Sequence, residues 1–304
     1  MLPVQGERAV ALPADAGFGP GRPRFGVAAR ARRQSAYDLS ESPAMFAYNT
    51  LEQGDCRSVL RTIPSESFDL ALTDPPYFVN YRDRLGRAIA NDGNDFGILT
   101  AFDELYRVLK PDTFCISFYG WGQTDTFFAA WRRAGFRPVG HIVWCKPYAS
   151  RISCLKYRHE QAYLLARGRP RAPANPLDDV RRWQYSGNRC HPTEKSIAIL
   201  KPLIESFSSV GGAVIDPFAG SGSSLLAAAQ CGRRYFGIEL DSNHCATIRE
   251  RLAGLPGHSS VDRDRDLDLA FAQYGRWLSA RGVAMPPGIV PGAFKRAEGN
   301  AGRR

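Results

Sequence analysis

No C-x-x-C pair occurs in this chain of 304 residues. Its seven cysteines (Cys56, Cys115, Cys145, Cys154, Cys190, Cys231 and Cys245) are scattered and odd in number. That excludes a disulfide framework as the organising principle and removes the ligand spacing of a zinc site. Cys115, in Phe114-Cys115-Ile116, and Cys145, after Trp144, stand in apolar runs where a reduced core thiol is expected. No apolar run approaches a membrane span, and the N-terminus lacks the apolar core of a signal peptide. Internal repeats are missing too. The expectation is a soluble protein of a reducing, cytoplasmic compartment, with no metal site and no membrane association.

Positive charge is what the chain has in excess. Forty Lys and Arg face thirty Asp and Glu, a formal charge of +10, and a hydrophobic fraction of 44% suffices for a sizeable core. Between Lys146 and Arg189 ten basic residues meet only Glu160, Asp178 and Asp179, so this stretch carries +7 of the total. Such a stretch is either a solvated, loop-rich surface or the electrostatic footprint of a phosphate backbone.

Residues 1–44 are rich in Gly, Pro, Ala and Arg without apolar periodicity, which reads as a flexible arm. From residue 257 to 304 the chain is again polar, then Pro/Gly-rich, and reads as an extension. Residues 45–256, between them, alternate strand and helix signals. Strands are expected at 68–73, 113–119, 141–145, 162–165, 213–215 and 235–239. Helices are expected from Ile98 to Leu109, at 123–134, at 194–207 with Thr193 as cap and a kink or early end at Pro202, at 223–230, and at 242–252. This alternation predicts an α/β fold, a mostly parallel, doubly wound sheet whose ligands sit beyond the carboxyl ends of the strands.

Two segments stand at such ends. Asp216-Pro217-Phe218-Ala219-Gly220-Ser221-Gly222 links a strand to a helix, and its small residues let a ligand approach the backbone and the helix N-terminus. Glu239 ends the next strand, 23 residues after Asp216, where an acid can hold the two hydroxyls of a ribose. No Lys-Ser/Thr follows the glycines, and the third glycine of G-x-G-x-x-G is replaced by Leu225, so a nucleoside without phosphates fits better than a nucleotide.

The second segment is Asp74-Pro75-Pro76-Tyr77, directly after a strand. Paired prolines stiffen the turn and leave nearby carbonyls free to accept. A carboxylate and a carbonyl so held can both accept from one –NH2 group, while Tyr77 offers a flat face to a base. An ordinary Pro-Pro turn with a buried aromatic is the competing description.

Asp74 to Tyr77 resembles the D-P-P-Y motif of amino-methylating (N6-adenine/N4-cytosine) DNA methyltransferases, and Asp216 to Gly222 resembles their cofactor motif. His191-Pro192-Thr193-Glu194-Lys195 is similar to the H-P-T-x-K stretch of the group whose motifs are circularly permuted, with the catalytic one first; Gly54-Asp55 and Ile142 to Lys146 fit the same group. Two positions depart from it: Ser196 where the group often has Pro, and Phe78 where it often has Asn.

The resemblance implies a Rossmann-like methyltransferase domain over 45–256 that takes S-adenosylmethionine and DNA. In it Asp55 lies near the cofactor's adenine, His191, Thr193 and Lys195 lie toward its methionine end, and Phe218 packs against it. Asp74 and the Pro76 carbonyl then accept from the target amine of a flipped base, with Tyr77 stacked on the ring. Asp rather than Ser at 74 leans toward adenine N6. N4-cytosine methylation and a catalytically silent binder of the same fold stay open, as does assembly, a homodimer being one arrangement; restriction–modification is one setting for such an enzyme.

The loop 78–96, with Arg82, Arg84 and Arg87, is expected to close over the target. A small target-recognition insertion is expected over about 167–190, and Lys146, Arg181 and Arg182 are read as phosphate contacts. Replacing Arg181 and Arg182 by Ala is expected to weaken DNA binding; unchanged affinity at moderate salt in a filter-binding titration would overturn that assignment.

Overall fold

The computed structural model describes residues 47–78, 96–184 and 194–255, together with the isolated positions Gly275 and Ser279. The first half contains β1 (Thr50–Gln53), α1 (Cys56–Thr62), β2 (Phe68–Thr73), α2 (Ala101–Val108), β3 (Leu109–Phe118), α3 (Thr124–Ala134) and β4 (Arg137–Cys145). A short hairpin, β5 (Arg151–Ile152) and β6 (Lys156–Tyr157), precedes β7 (His159–Arg167) and β8 (Val180–Arg182). Then come α4 (Ile197–Phe207), β9 (Ala213–Asp216), α5 (Ser223–Gln230), β10 (Arg234–Glu239) and α6 (Ser242–Ala253).

Eight strands form one sheet in the order β1-β10-β9-β2-β3-β7-β4-β8. Among the described strands of this sheet only β7 runs against its neighbours, pairing antiparallel with β3 and β4, while the other pairs are parallel. Seven carboxyl ends therefore share one edge. The sheet is Rossmann-like and mostly parallel, as the alternating pattern predicts.

Alternation along the strands builds the layers, since successive side chains leave a strand on opposite faces. Ala213, Ile215, Phe236 and Ile238 face α1, α2 and α3, where Leu60, Phe102 and Trp131 are buried. Val214 and Tyr235 face α4, α5 and α6, joining Leu203, Leu225 and Ile248. Each of the Val, Leu, Ile and Phe side chains among these contributes about 1.5–3 kcal/mol by leaving water.

Several boundaries differ from expectation for local reasons. The fourth helix starts at Ile197 instead of Glu194, because Ser196 caps it by accepting from the Ala198 amide at 3.3 Å; Thr193 lies outside the described residues. It runs on through Pro202 to Phe207, with Leu200, Leu203 and Ile204 buried around the proline. The third strand begins at Leu109 and includes Pro111, because the chain bulges there: Asp112 has φ 55° and the register jumps from Phe68↔Leu109 to Leu70↔Phe114. Cys115 is buried as expected, but Cys145 is exposed at the end of β4.

The antiparallel run of β7 corrects the reading of the basic stretch. It carries Arg167 to the edge opposite the two motifs. There the Arg167 guanidinium donates to the carbonyls of Tyr106, at 2.8 Å, of Arg107 and of Leu109, closing the C-terminal end of α2. Arg169 is tied down nearby through its amide, which donates to Asp112 Oδ1 at 2.6 Å. Only β8 brings the chain back to the motif edge, with Arg181 and Arg182 opposite Trp144 and Cys145. Arg167→Ala is expected to lower unfolding stability by roughly 1–3 kcal/mol and to leave DNA affinity unchanged; urea denaturation and a binding titration on the same sample check both halves.

Candidate active site

Register places the two motifs side by side. β2 and β9 are parallel neighbours, pairing Leu70↔Val214 and Ala71↔Ile215, so the turns that leave them are adjacent. Across β9, Asp216 pairs with Gly237 of β10, and Glu239 in turn pairs with Gln53 of β1, two residues before Asp55. Asp55, Glu239, Asp216 and Asp74 thus stand at the ends of four consecutive strands. Three inter-strand steps spread this row over about 14 Å.

Within the Gly-rich turn, Asp216 acts first as an organiser. Its Oδ1 accepts from the Phe218 amide at 3.0 Å and its Oδ2 from the Ser224 hydroxyl. The carboxyl is buried, and burial raises its pKa to about 7; the two hydrogen bonds oppose that rise, and the charges of Asp74 and Glu239 add to it. Gly222 has φ 76°, and a methyl group there would stand 2.8 Å from Ile248, so the turn fits glycine alone. Glu239 braces the turn, accepting from Gly220 N at 2.8 Å and from Asp241 N at 2.8 Å. Asp55 caps α1 and pairs with the Arg57 guanidinium at 2.6 Å, which holds its pKa below the ordinary carboxylate range.

The nearby cations are already engaged. Arg251 pairs with Glu194 at 3.1 Å and donates to the Ser221 carbonyl. Glu194 also accepts from Ser223 at 3.4 Å, and the Ser221 and Ser223 hydroxyls lie 3.0 Å apart. Phe218 packs against the core beneath the turn.

At the end of β2, Asp74 uses both oxygens. Oδ1 accepts from the Tyr77 hydroxyl at 2.8 Å and Oδ2 from the Lys195 ammonium at 2.6 Å. Lys195 Nζ lies 4.9 Å from the Phe118 ring centroid and 5.5 Å from that of Tyr77. Burial pushes the Asp74 pKa up against the opposing pull of Lys195. Lys195 is buried too, but the charges of Asp74 and Glu160 outweigh that burial and hold its pKa above the ordinary value. Tyr77, raised by burial and by both carboxylates, stays a protonated donor.

The sequence did not single out Glu160. It lies 3.5 Å from the Tyr77 hydroxyl and accepts from Lys146 at 3.1 Å. Its signal was there in outline, as one of three acids in a basic stretch at the start of an apolar strand. Gly120 was missed as well; a methyl group there would meet Tyr77 Cβ at 2.9 Å, so this glycine forms the wall behind the tyrosine. Lys146, read as a phosphate contact, is instead 9% exposed, held by Glu160 and 5.2 Å from the Trp183 ring. Pro75 and Pro76 are buried in the turn. Arg82, Arg84, Arg87, His191 and Thr193 lie outside the described residues.

A parallel sheet with these two turns side by side is the arrangement of the S-adenosylmethionine-dependent DNA methyltransferases. A sequence profile of the family described as DNA methylase matches residues 68–250, more than half the chain, and the chain belongs to that family. YubD of Escherichia coli (strain K12), described as a presumptive methylase, is 54% identical over 203 residues, covering 67% of this chain and 89% of its own. The DNA adenine methyltransferase YhdJ of the same organism is 29% identical over 244 residues, covering 67% of this chain and 82% of its own. Among solved structures, the complex of M1.HpyAVI with S-adenosylmethionine shares the fold, with a TM-score of 0.54, 19% identity, and coverage of 68% of this chain and 99% of that one.

S-adenosylmethionine is the cofactor, and the residues present fit it. The turn at Gly220–Gly222 carries one small side chain, Ser221, which is buried against Ser223, so its backbone stays open to a nucleoside, and the acids at the strand ends suit ribose hydroxyls and cationic groups. Among the described residues, Arg251 and Lys195 are paired with acids and do not make a phosphate site.

Asp216 yields a sign-defined test. It holds a proton in the fold up to about pH 7, while an unfolded Asp loses its proton near 3.9. Stability of the cofactor-free protein therefore falls as pH rises from about 4 to about 7, and this contribution is flat above. Asp216→Asn is expected to remove this slope from thermal melts taken across that range.

Proposed function

We propose that this methyltransferase modifies adenine N6, with Asp74, the Pro76 carbonyl and Tyr77 as the groups that meet the flipped base. One observation carries the reading: a half-buried carboxylate, fixed by Lys195 and Tyr77, at the end of β2 beside the Gly-rich turn. Asp at position 74 and the likeness to a DNA adenine methyltransferase support adenine over cytosine.

An exocyclic amine is a poor nucleophile because its lone pair is delocalised into the ring. Two acceptors on one –NH2 group, Asp74 and the Pro76 carbonyl, draw both protons to one side and localise the lone pair on the other. Asp74 keeps lone pairs for this while Tyr77 and Lys195 remain bound, since a carboxylate offers about four acceptor sites. Bound S-adenosylmethionine supplies an electrophilic methyl group on a positively charged sulfur. The aminated carbon's nitrogen must shed one proton as it gains the methyl, and the raised pKa of Asp74 suits it to take that proton. Lys195 limits the build-up of negative charge while Asp74 is ionised. Orientation by the stiff Pro-Pro turn supplies much of the rate.

Purified protein incubated with unmethylated DNA and S-adenosylmethionine, then digested to nucleosides for mass spectrometry, is expected to yield N6-methyladenine. Asp74→Ala is expected to abolish the product while S-adenosylmethionine binding persists. N4-methylcytosine in its place would overturn the base assignment and keep the site.

A further inference from the structure

We infer that the arm formed by residues 146–158 enters the DNA duplex beside the target and fills the gap left by the flipped base, an inference that rests on the DNA-methylating reading above. The arm continues the β4–β7 pair past the end of the sheet. Cys145 pairs with His159, then the Lys146 amide donates to the Arg158 carbonyl at 2.7 Å, the Ser150 amide to the Tyr157 carbonyl at 2.9 Å, and β5 pairs with β6. Because β4 runs parallel to β2, by way of β3 and β7, the arm projects from the same edge as the catalytic turn.

Its tip is apolar where solvent would be expected to select polar residues. Ile152 is 69% exposed and Leu155 67% exposed. At the foot, Trp121 is 57% exposed and stacks on Tyr157, with ring centroids 5.4 Å apart and planes 14° from parallel. Trp121 follows Gly120, the glycine that backs Tyr77, so the aromatic pair adjoins the wall of the catalytic turn. Lys156 and Arg158 are exposed along the arm, and no acid lies between Lys146 and His159. Aliphatic side chains at a tip, an aromatic platform at the foot and a basic stem match a stacked, anionic duplex. Proteins that unstack DNA use apolar wedges between base steps, and flat rings hold exposed bases.

The arm also has a physical connection to the chemistry. Lys146, at its root, donates to Glu160, which reaches the Tyr77 hydroxyl. Trp183 N donates to the Cys145 carbonyl at 2.9 Å and ties β8, with Arg181 and Arg182, to the same root. A duplex seated on the stem therefore bears on the elements that hold Tyr77.

The test uses a duplex whose methylated position has first been mapped with the wild-type protein, and the same duplex with an abasic site opposite the target. The second carries an already unpaired target, so the cost of extrusion is largely removed. The double variant Ile152→Ala/Leu155→Ala is expected to lose about ten- to a hundredfold in kcat/KM on the paired duplex, where the target has to be unstacked and unpaired. It should approach the wild-type rate on the abasic duplex, with S-adenosylmethionine affinity unchanged. Equal loss on both substrates, no loss on either, or a change only in self-association by sedimentation would overturn the arm's role. Failure of the wild type to methylate any DNA would overturn the reading beneath it, a distinguishable result. A second measurement needs no variant: Cys154, exposed at the tip, is expected to be protected from alkylation by the mapped duplex while Cys231 is not. Unchanged labelling of Cys154 in saturating duplex would also overturn the proposal.

Discussion

The pairing of β2 with β9 is the constraint on which the site depends. Through it, residues 70 and 71 lie beside 214 and 215, although more than half the described sequence separates them. Once these strands are neighbours, the Asp-Pro-Pro-Tyr turn and the Gly-rich turn have to leave the sheet together. The Lys195–Asp74 contact, spanning 121 residues, then closes the gap between the segment before α4 and the end of β2. Parallel pairing of distant segments is costly in loop entropy, and the two-sided burial of Val214, Ile215, Leu70 and Ala71 offsets it.

Charge is distributed in two regimes. In the interior Asp74, Glu160, Lys146 and Lys195 make a balanced group linked through Tyr77, so no buried charge lacks a partner there. The excess of basic residues is carried elsewhere, and its parts differ in purpose. Arg167 is spent on the carbonyls at the end of α2, whereas Arg181 and Arg182 lie on the outermost strand at the motif edge. Net charge along a stretch of sequence is blind to this distinction, because an antiparallel strand sends its two ends to opposite edges of the sheet.

Much of the fold was legible from the sequence because the strands carry the pattern themselves. The runs at 68–73, 213–216 and 234–239 are apolar and short, and Gly135, with φ 102°, and Gly232, with φ 69°, mark the helix ends where expected. The two motifs were legible because their chemistry sits in contiguous residues. Glu160 and Gly120 were not, since both meet Tyr77, and Glu160 also meets Lys195 through its charge, across segments distant in sequence. β1 escaped notice for a related reason: Thr50-Leu51-Glu52-Gln53 is polar at its end, being an outer strand covered on one side only. The arm escaped as well, because exposed Ile152 and Leu155 look like core residues until the backbone shows them facing outward.

Phe78 closes the Asp-Pro-Pro-Tyr turn with φ 60°, in the left-handed region that suits asparagine far better than a bulky aromatic. Asparagine is the residue that resembling enzymes often carry at this place. Here the phenylalanine ring is buried and packs against Phe127 of α3 at 6.0 Å, and about 2 kcal/mol from that burial is enough to offset a backbone cost of about 1–3 kcal/mol. The same bend can thus be sustained by a side chain that tolerates it or by one that is rewarded elsewhere for accepting it. In the second solution, the bend at position 78 depends on the ring at position 127. A change of size at 127 would have to be answered at 78, although one lies on a helix of the outer layer and the other at the end of the Asp-Pro-Pro-Tyr turn.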